Sequence, residues 1–395
     1  MVRTAQVAFL ATWALAALAV TGCKSPGTDT PQYWIKTFGG TDKDCGWSVQ
    51  QTSDSGYIVA ASMSSGVAST GWLIKTDPDG NKVWDMSFGG TEQGAWFYSV
   101  QQTFDGGYIT VGYTNPEGAD QADVLLVKTD ASGNAVWDKT FGRTWTDRGR
   151  SVQQTLDGGF IIAGDGCQEG EFYTDVLLIK TDPDGNKVWD KTFGEFGRDE
   201  YCFSVRQTAD SGYIVVSTTN PDGADSDVWL IKTDSNGNEM WQRILGWEGE
   251  EQGFRVQQTS DGGYVVVGFT DSRGVGERDI LLIKTDAVGS EVWARTFGGK
   301  DIDYGRSVRQ TSDGGYIITG AKGYSLDGHS DAWLIKTDGE GNRTWDMTFG
   351  GAEDDEGFSV QQTFDGGYVI AGQTYSYGPG ANVILIKTEA SGHNP

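Results

Sequence analysis

The chain has 395 residues, of which 58 are glycine and 12% aromatic, and it carries 55 acidic against 30 basic side chains, a formal net charge of −25. So acidic a surface excludes nucleic acid and anionic membrane surfaces as electrostatic partners, since both select for basic proteins. Frequent glycine and short apolar runs suit many strands joined by tight turns, and one repeated text makes nearly the whole chain a single array rather than several domains.

Arg3 precedes an apolar stretch over residues 5–20, too short for a comfortable membrane span and of the length of a signal h-region. It ends in Val20-Thr21-Gly22-Cys23, which resembles the lipobox of bacterial lipoproteins, where small residues precede a cysteine that is lipidated and becomes the first mature residue. The resemblance implies a signal segment over 1–22, lipidation at Cys23 and a tether over 23–31. It also implies an extracytoplasmic protein, periplasmic or at the cell surface, held to a membrane by its lipid anchor.

The first predicted strand, over 33–38 (YWIKTF), matches the last strand of each later repeat. Its tryptophan recurs as Trp34, Trp84, Trp137, Trp189, Trp241, Trp293 and Trp345, at intervals of 50, 53 and then 52 residues. In the second repeat, 98–103 (YSVQQT), Phe104-Asp105-Gly106-Gly107 and 108–112 (YITVG) read as strand, Asp-Gly turn and strand. After a loop over 113–122, the segments 123–129 and 135–141 flank Asp130-Ala131-Ser132-Gly133-Asn134 and form a second hairpin. Each repeat is therefore four strands.

The first of the four begins near Ser48, Ser99, Ser151, Ser204, Arg255, Ser307 and Ser359, seven times in all. The seventh repeat stops after its third strand, 383–388, and the strand it lacks stands at 33–38. An open stack gains nothing from this offset, whereas a ring uses it to close its last blade and remove its sheet edges. The prediction is an all-β, seven-bladed β-propeller over 32–395, with the N-terminal strand completing the C-terminal blade.

The repeats resemble a family of secreted bacterial and archaeal propeller repeats that carry DGGY and KTD..GN..W signatures. More distantly, Asp77, Gly80 and Trp84, with their equivalents, resemble the Asp, Gly and Trp of quinoprotein-type propellers, whose tryptophan docks neighbouring blades. The match to the quinoproteins departs by one residue between Asp and Gly and in blade number, so no cofactor is expected.

Residues present in every repeat serve every blade. The seven tryptophans are expected to pack blade on blade. Asp54, Asp105, Asp157, Asp210, Asp261, Asp313 and Asp365 belong to turns, and Gln51, Gln102, Gln154, Gln207, Gln258, Gln310 and Gln362 to an amide ring bridging innermost strands. Asp77-Pro78-Asp79-Gly80-Asn81 places oxygens as the start of a calcium loop does, but it lacks the later ligands, and equivalent turns manage with Ala131-Ser132, so no metal is assigned.

Function is expected on the face where the two variable loops of each repeat emerge. The candidates there are Trp96, Trp145 and Trp247 with Glu248, Glu250, Glu251, Glu353, Asp354, Asp355 and Glu356, read as solvated acidic clusters beside aromatic rings that suit a glycan or a protein ligand. Only two histidines exist, His329 and His393, so no catalytic residue is assigned. A carboxylate-based glycan-cleaving enzyme or a degenerate quinoprotein is the alternative to a binding or scaffold module. Cys167 and Cys202 fall in loops of adjacent blades on that face and are the candidate disulfide, with Cys45 left free.

Overall fold

The computed structural model describes residues 33–64, 69–89, 94–115, 121–142, 145–167, 173–195, 197–220, 225–324 and 329–391. The expected signal segment, Cys23 and the expected tether lie outside the described residues, as does His393. Twenty-eight strands, β1 to β28, form seven four-stranded antiparallel sheets, so the chain is a seven-bladed propeller. Blade 1 is β2 (Lys43–Gln51), β3 (Tyr57–Ser64), β4 (Ser69–Thr76) and β5 (Lys82–Phe88), and each following blade takes the next four strands. Blade 7 is β26 (Asp355–Gln362), β27 (Tyr368–Thr374), β28 (Asn382–Thr388) and β1 (Tyr33–Phe38). In it, Tyr33 stands opposite Thr388 and Phe38 opposite Val383. The ring closes as the repeat offset requires.

The middle strands of each blade are apolar throughout because both of their faces are covered. Tyr57, Val59 and Ala61 of β3 share a core with Val369, Ala371, Val383 and Leu385 of blade 7. Their alternates Ile58 and Ala60 share another with Phe97, Val100 and Tyr108 of blade 2. Strand alternation thus sends successive side chains into two neighbouring cores. Each outermost-strand tryptophan packs against the Tyr or Phe that begins the second strand of the next blade, edge-on in six of the seven, as Trp34 does on Tyr57 at 5.9 Å and Trp137 on Phe160 at 5.8 Å. A Cβ added at Gly80 would come within 2.5 Å of the Trp34 ring, so that turn must be glycine.

The DGG turn has an equally local cause. Gly106 adopts a φ of 84°, and a Cβ on Gly107 would meet the Thr129 carbonyl at 2.2 Å. That second approach lets buried Lys128 reach the turn and pair with Asp105 at 2.8 Å. The pair recurs in all seven blades as Lys75–Asp54, Lys180–Asp157, Lys232–Asp210, Lys284–Asp261, Lys336–Asp313 and Lys387–Asp365. In the other hairpin, the Asp77 carboxylate accepts the N–H groups of Asp79 and Asn81 at 3.0 and 2.8 Å, so the turn is closed by its own backbone.

The amide ring is complete. Gln51, Gln102, Gln154, Gln207, Gln258, Gln310 and Gln362 each accept, through Oε1, a backbone N–H from the turn of the preceding blade, at 2.7–2.9 Å. Their own N–H groups at Gln51, Gln102, Gln154, Gln207 and Gln310 donate in turn to the amide oxygens of Gln361, Gln50, Gln101, Gln153 and Gln257 of that blade.

The cysteine expectation needs correction, because Cys45, Cys167 and Cys202 are all free thiols. The two loops do meet, since the Cys202 N–H donates to Asp165 at 2.9 Å. Strand register, however, turns the Cys202 side chain into the core between blades 3 and 4, and Cys167 lies two residues past Asp165 along its strand, still only half-buried.

Candidate functional site

Innermost strands begin earlier than the turn signals imply. Strands β18 (Glu251–Gln258) and β26 already include residues read as loop acids, and this sorts the acidic candidates into different roles. At the equivalent position six blades carry a buried carboxyl, namely Asp44, Asp147, Glu200, Glu251, Asp303 and Asp355. Each donates its backbone N–H to the preceding blade, to the carbonyls of Ala381, Ala122, Thr174, Ser226, Arg278 and Ser330 respectively. Four of the carboxylates also accept an N–H from their own loop, from Gly40, Trp247, Gly299 and Gly351. Glu251 and Asp355 are therefore joints between blades and not solvated ligand groups, contrary to the sequence expectation.

Facing these joints is a second carboxyl at the start of the third strand. Burial and the charge of Asp175 push Glu200 up to about 7, and burial with Glu251 and Asp225 pushes Asp227 up to about 6. Burial, and beyond it the nearby Asp279 and Asp355 respectively, raises Asp303 and Asp331. A carboxyl with a raised pKa beside a second carboxyl is an arrangement that acid–base chemistry can use. Here Glu200 and Asp175 are each 1% exposed and the motif repeats around the ring, so it serves assembly and not a substrate.

A belt that the sequence reading missed lies just inside these joints. In all seven blades a β-bulge displaces the residue before the repeated Ser-Val or Arg-Val pair. These residues are Trp47, Tyr98, Arg150, Phe203, Phe254, Arg306 and Phe358. Trp47 packs on Tyr98 and Phe358 at 5.2 and 4.7 Å, Phe203 on Phe254 at 4.9 Å, and Arg150 lies over Tyr98 at 4.7 Å. Arg306 bridges Phe254 and Phe358 at 5.0 and 5.6 Å. The two arginines are balanced by Asp165 and Glu356, at 2.9 and 2.5 Å. The belt joins the innermost strands of the ring on their variable-face side. A bulky residue before the Ser-Val or Arg-Val pair in every repeat was the available signal.

The remaining candidates divide by accessibility. Trp96 is half-buried and stacks on Tyr113, with ring centroids 6.2 Å apart. Trp247 lies beneath the Arg273 guanidinium at 3.6 Å. Glu250 pairs with Arg278 at 2.7 Å, Glu356 with Arg306, and Asp354 accepts the Ser330 N–H at 2.9 Å. Glu248 and Glu353 are exposed, as is Trp145. Exposed tyrosines absent from the sequence candidates join them: Tyr173 beside blade 3, and Tyr324, Tyr375 and Tyr377 on blades 6 and 7. Single tyrosines in loops carry no period, so nothing in the sequence distinguished them.

No family model matches the chain. Among curated proteins it is similar to the regulatory protein FlaEY of Caulobacter vibrioides, 28% identical over 153 residues that cover 35% of this chain. The chain spans only 16% of that relative's length. Among solved structures it is similar to the polysaccharide lyase Uly1, with a TM-score of 0.57, 12% identity, and 88% of this chain and 90% of that one covered. An ulvan lyase of a new polysaccharide lyase family gives a TM-score of 0.57 at 10% identity, covering 91% and 98%. The WD40 domain of Neurospora crassa Pan2 gives 0.52 at 11% identity, covering 88% and 89%. At these identities the likeness is one of β-propeller fold.

Proposed function

We propose that this protein is a membrane-anchored extracytoplasmic propeller of the DGGY and KTD..GN..W repeat type, acting as a binding or scaffold module for a glycan or protein ligand on its variable face. The observation that carries this reading is the company of exposed aromatic rings and exposed carboxylates there: Trp145, Tyr173 and Tyr201 on blades 3 and 4, with Glu248 and Glu353 further round the ring. Aromatic faces stack on the apolar faces of sugars or of a partner's side chains, and carboxylates accept hydroxyl or ammonium hydrogens. Polysaccharide lyases share the fold, but the carboxyl pairs described above are enclosed, so cleavage is not the reading adopted.

Two measurements test the proposal. Cys23→Ser is expected to move the protein from the membrane to the soluble extracytoplasmic fraction, and an unchanged membrane fraction would defeat the anchoring. The soluble variant, screened on a glycan array and in pull-downs, should yield a ligand whose affinity drops on the order of tenfold in Trp145→Ala or Tyr201→Ala. Equal affinity in both variants would move the site off this face, and turnover of any arrayed glycan would favour an enzyme.

A further inference from the structure

Beside the complete amide ring, a second set of interblade acceptors on the innermost strands is interrupted in blades 4 to 6, always by arginine. Where five blades place Gln50, Gln101, Gln153, Gln257 and Gln361, blades 4 and 6 place Arg206 and Arg309. Where six blades place a serine, blade 5 places Arg255. These are the positions whose side chains reach towards the next innermost strand: Gln50 accepts the Gln102 N–H at 2.6 Å, and Ser48 accepts the Val100 N–H at 3.4 Å. A guanidinium has no acceptor atom. The substitutions therefore forfeit interblade bonds to the N–H groups of Gln258, Gln362 and Val308, and bring three positive charges to the innermost strands.

Nothing charged answers them. The belt arginines Arg150 and Arg306 each have a carboxylate, but Arg206 donates only to the Ser151 hydroxyl and the Val205 carbonyl, at 3.3 and 2.8 Å. Among the described residues no ion pair includes Arg206, Arg255 or Arg309. All three are half-buried, as side chains that line a channel are. Burial first, then the charges of Arg309 and Arg255, drives Arg206 well below the ordinary arginine range, and burial with Arg309 lowers Arg255 to about 10. Their positive charges thus act on one another across blades 4 to 6. Uncompensated charge in such a place is costly, and this chain has carboxylates to spare elsewhere.

We propose that Arg206, Arg255 and Arg309 form an oxyanion site in the central channel, suited to a doubly charged tetrahedral group such as inorganic phosphate or sulfate. Planar guanidinium forks match the paired oxygens of such a group, and the N–H groups of Gln258 and Gln362, which lack the usual amide acceptor, stand in the same sector. The hairpin face is the proposed entrance, because the packed belt side chains stand on the variable side of the three arginines. On that face the residue at the tip of the innermost hairpin is Ala209, Ser260 or Ser312 in blades 4 to 6 and Ser53 in blade 1, against exposed Phe104, Leu156 and Phe364 in blades 2, 3 and 7. The site is independent of the ligand proposed for the variable face.

The test restores the residues that the other blades use. The wild-type melting temperature should rise by roughly 3 °C at a phosphate concentration one hundred times Kd, above a sodium chloride control of equal ionic strength. Calorimetric titration with phosphate or sulfate should show one site per chain. Arg206→Gln, Arg255→Ser and Arg309→Gln combined should abolish both signals and melt higher than wild type in anion-free buffer, since interblade bonds return. Arg309→Gln alone should weaken binding at least tenfold, which keeps the test open should the triple variant fold poorly. An equal phosphate response in the variants, or a wild-type response that chloride matches, which is an adventitious ion only, overturns the proposal.

Discussion

A chain that starts at residue 39 is expected to melt roughly 7–10 °C below one that starts at residue 33, and to self-associate. The difference is β1 alone. Trp34 packs on Tyr57 and over Gly80, and Ile35 packs against the core that contains Ile384 and Ile386. Losing two such side chains costs roughly 5–8 kcal/mol, which a chain of this size converts to that shift through its unfolding entropy. Loss of β1 also uncovers the edge of β28, whose sequence NVILIKT is buried along its whole length and would pair with any other free strand. Scanning calorimetry with light scattering decides the matter: equal melting and equal solubility for the two chains would mean that β1 does not close the ring.

Stability should pass through a maximum near pH 4–5, an unusual place for a protein to be most robust. Glu200 and Asp227 sit at about 7 and about 6 in the folded state, above their ordinary values of 4.5 and 3.8. The folded form therefore binds these protons more tightly, and stability rises as pH falls from about 7 towards 4. The turn aspartates act in the opposite direction. Burial alone would raise Asp105, Asp261 and Asp313, but bonds from their lysines, threonines and backbone N–H groups hold them down to about 2. The stability they confer is present above pH 4 and is lost as pH falls towards 2. Glu200 alone is worth roughly 2–3 kcal/mol across its window. Glu200→Gln should consequently raise the melting temperature at pH 8 by about 3 °C and flatten the profile between pH 8 and 5. A wild-type melting temperature that falls steadily from pH 8 to pH 4 would refute the account.

The blade count, the closing strand and the docking tryptophans were legible because each rests on a periodic signal and on patterns that act within one hairpin. The candidate face was legible only as a composition. Glu353 and Asp355 look alike in the run EDDE, yet one is exposed and the other is a joint, because β26 starts at Asp355 and alternation takes hold there. A bulge one turn further on resets that alternation and hides the belt from period-two reasoning. Arg206, Arg255 and Arg309 were visible as departures in SVRQ and RVQQ, but their meaning depends on which strand lines the axis and on the absence of a carboxylate opposite. Neither fact is local in sequence.

The direction of β1 also decides how the molecule is presented. Tyr33 pairs with Thr388 at the hairpin end of β28, and Phe38 reaches the variable end. The proposed tether would therefore join the propeller on its hairpin side. With Cys23 as the anchor, the ten residues from Cys23 to Tyr33 span at most about 35 Å. The disc would then ride close to the bilayer with Phe104, Leu156 and Phe364 turned towards the lipid headgroups, and with Trp145 and its neighbours looking away from the membrane into the space where a ligand would arrive.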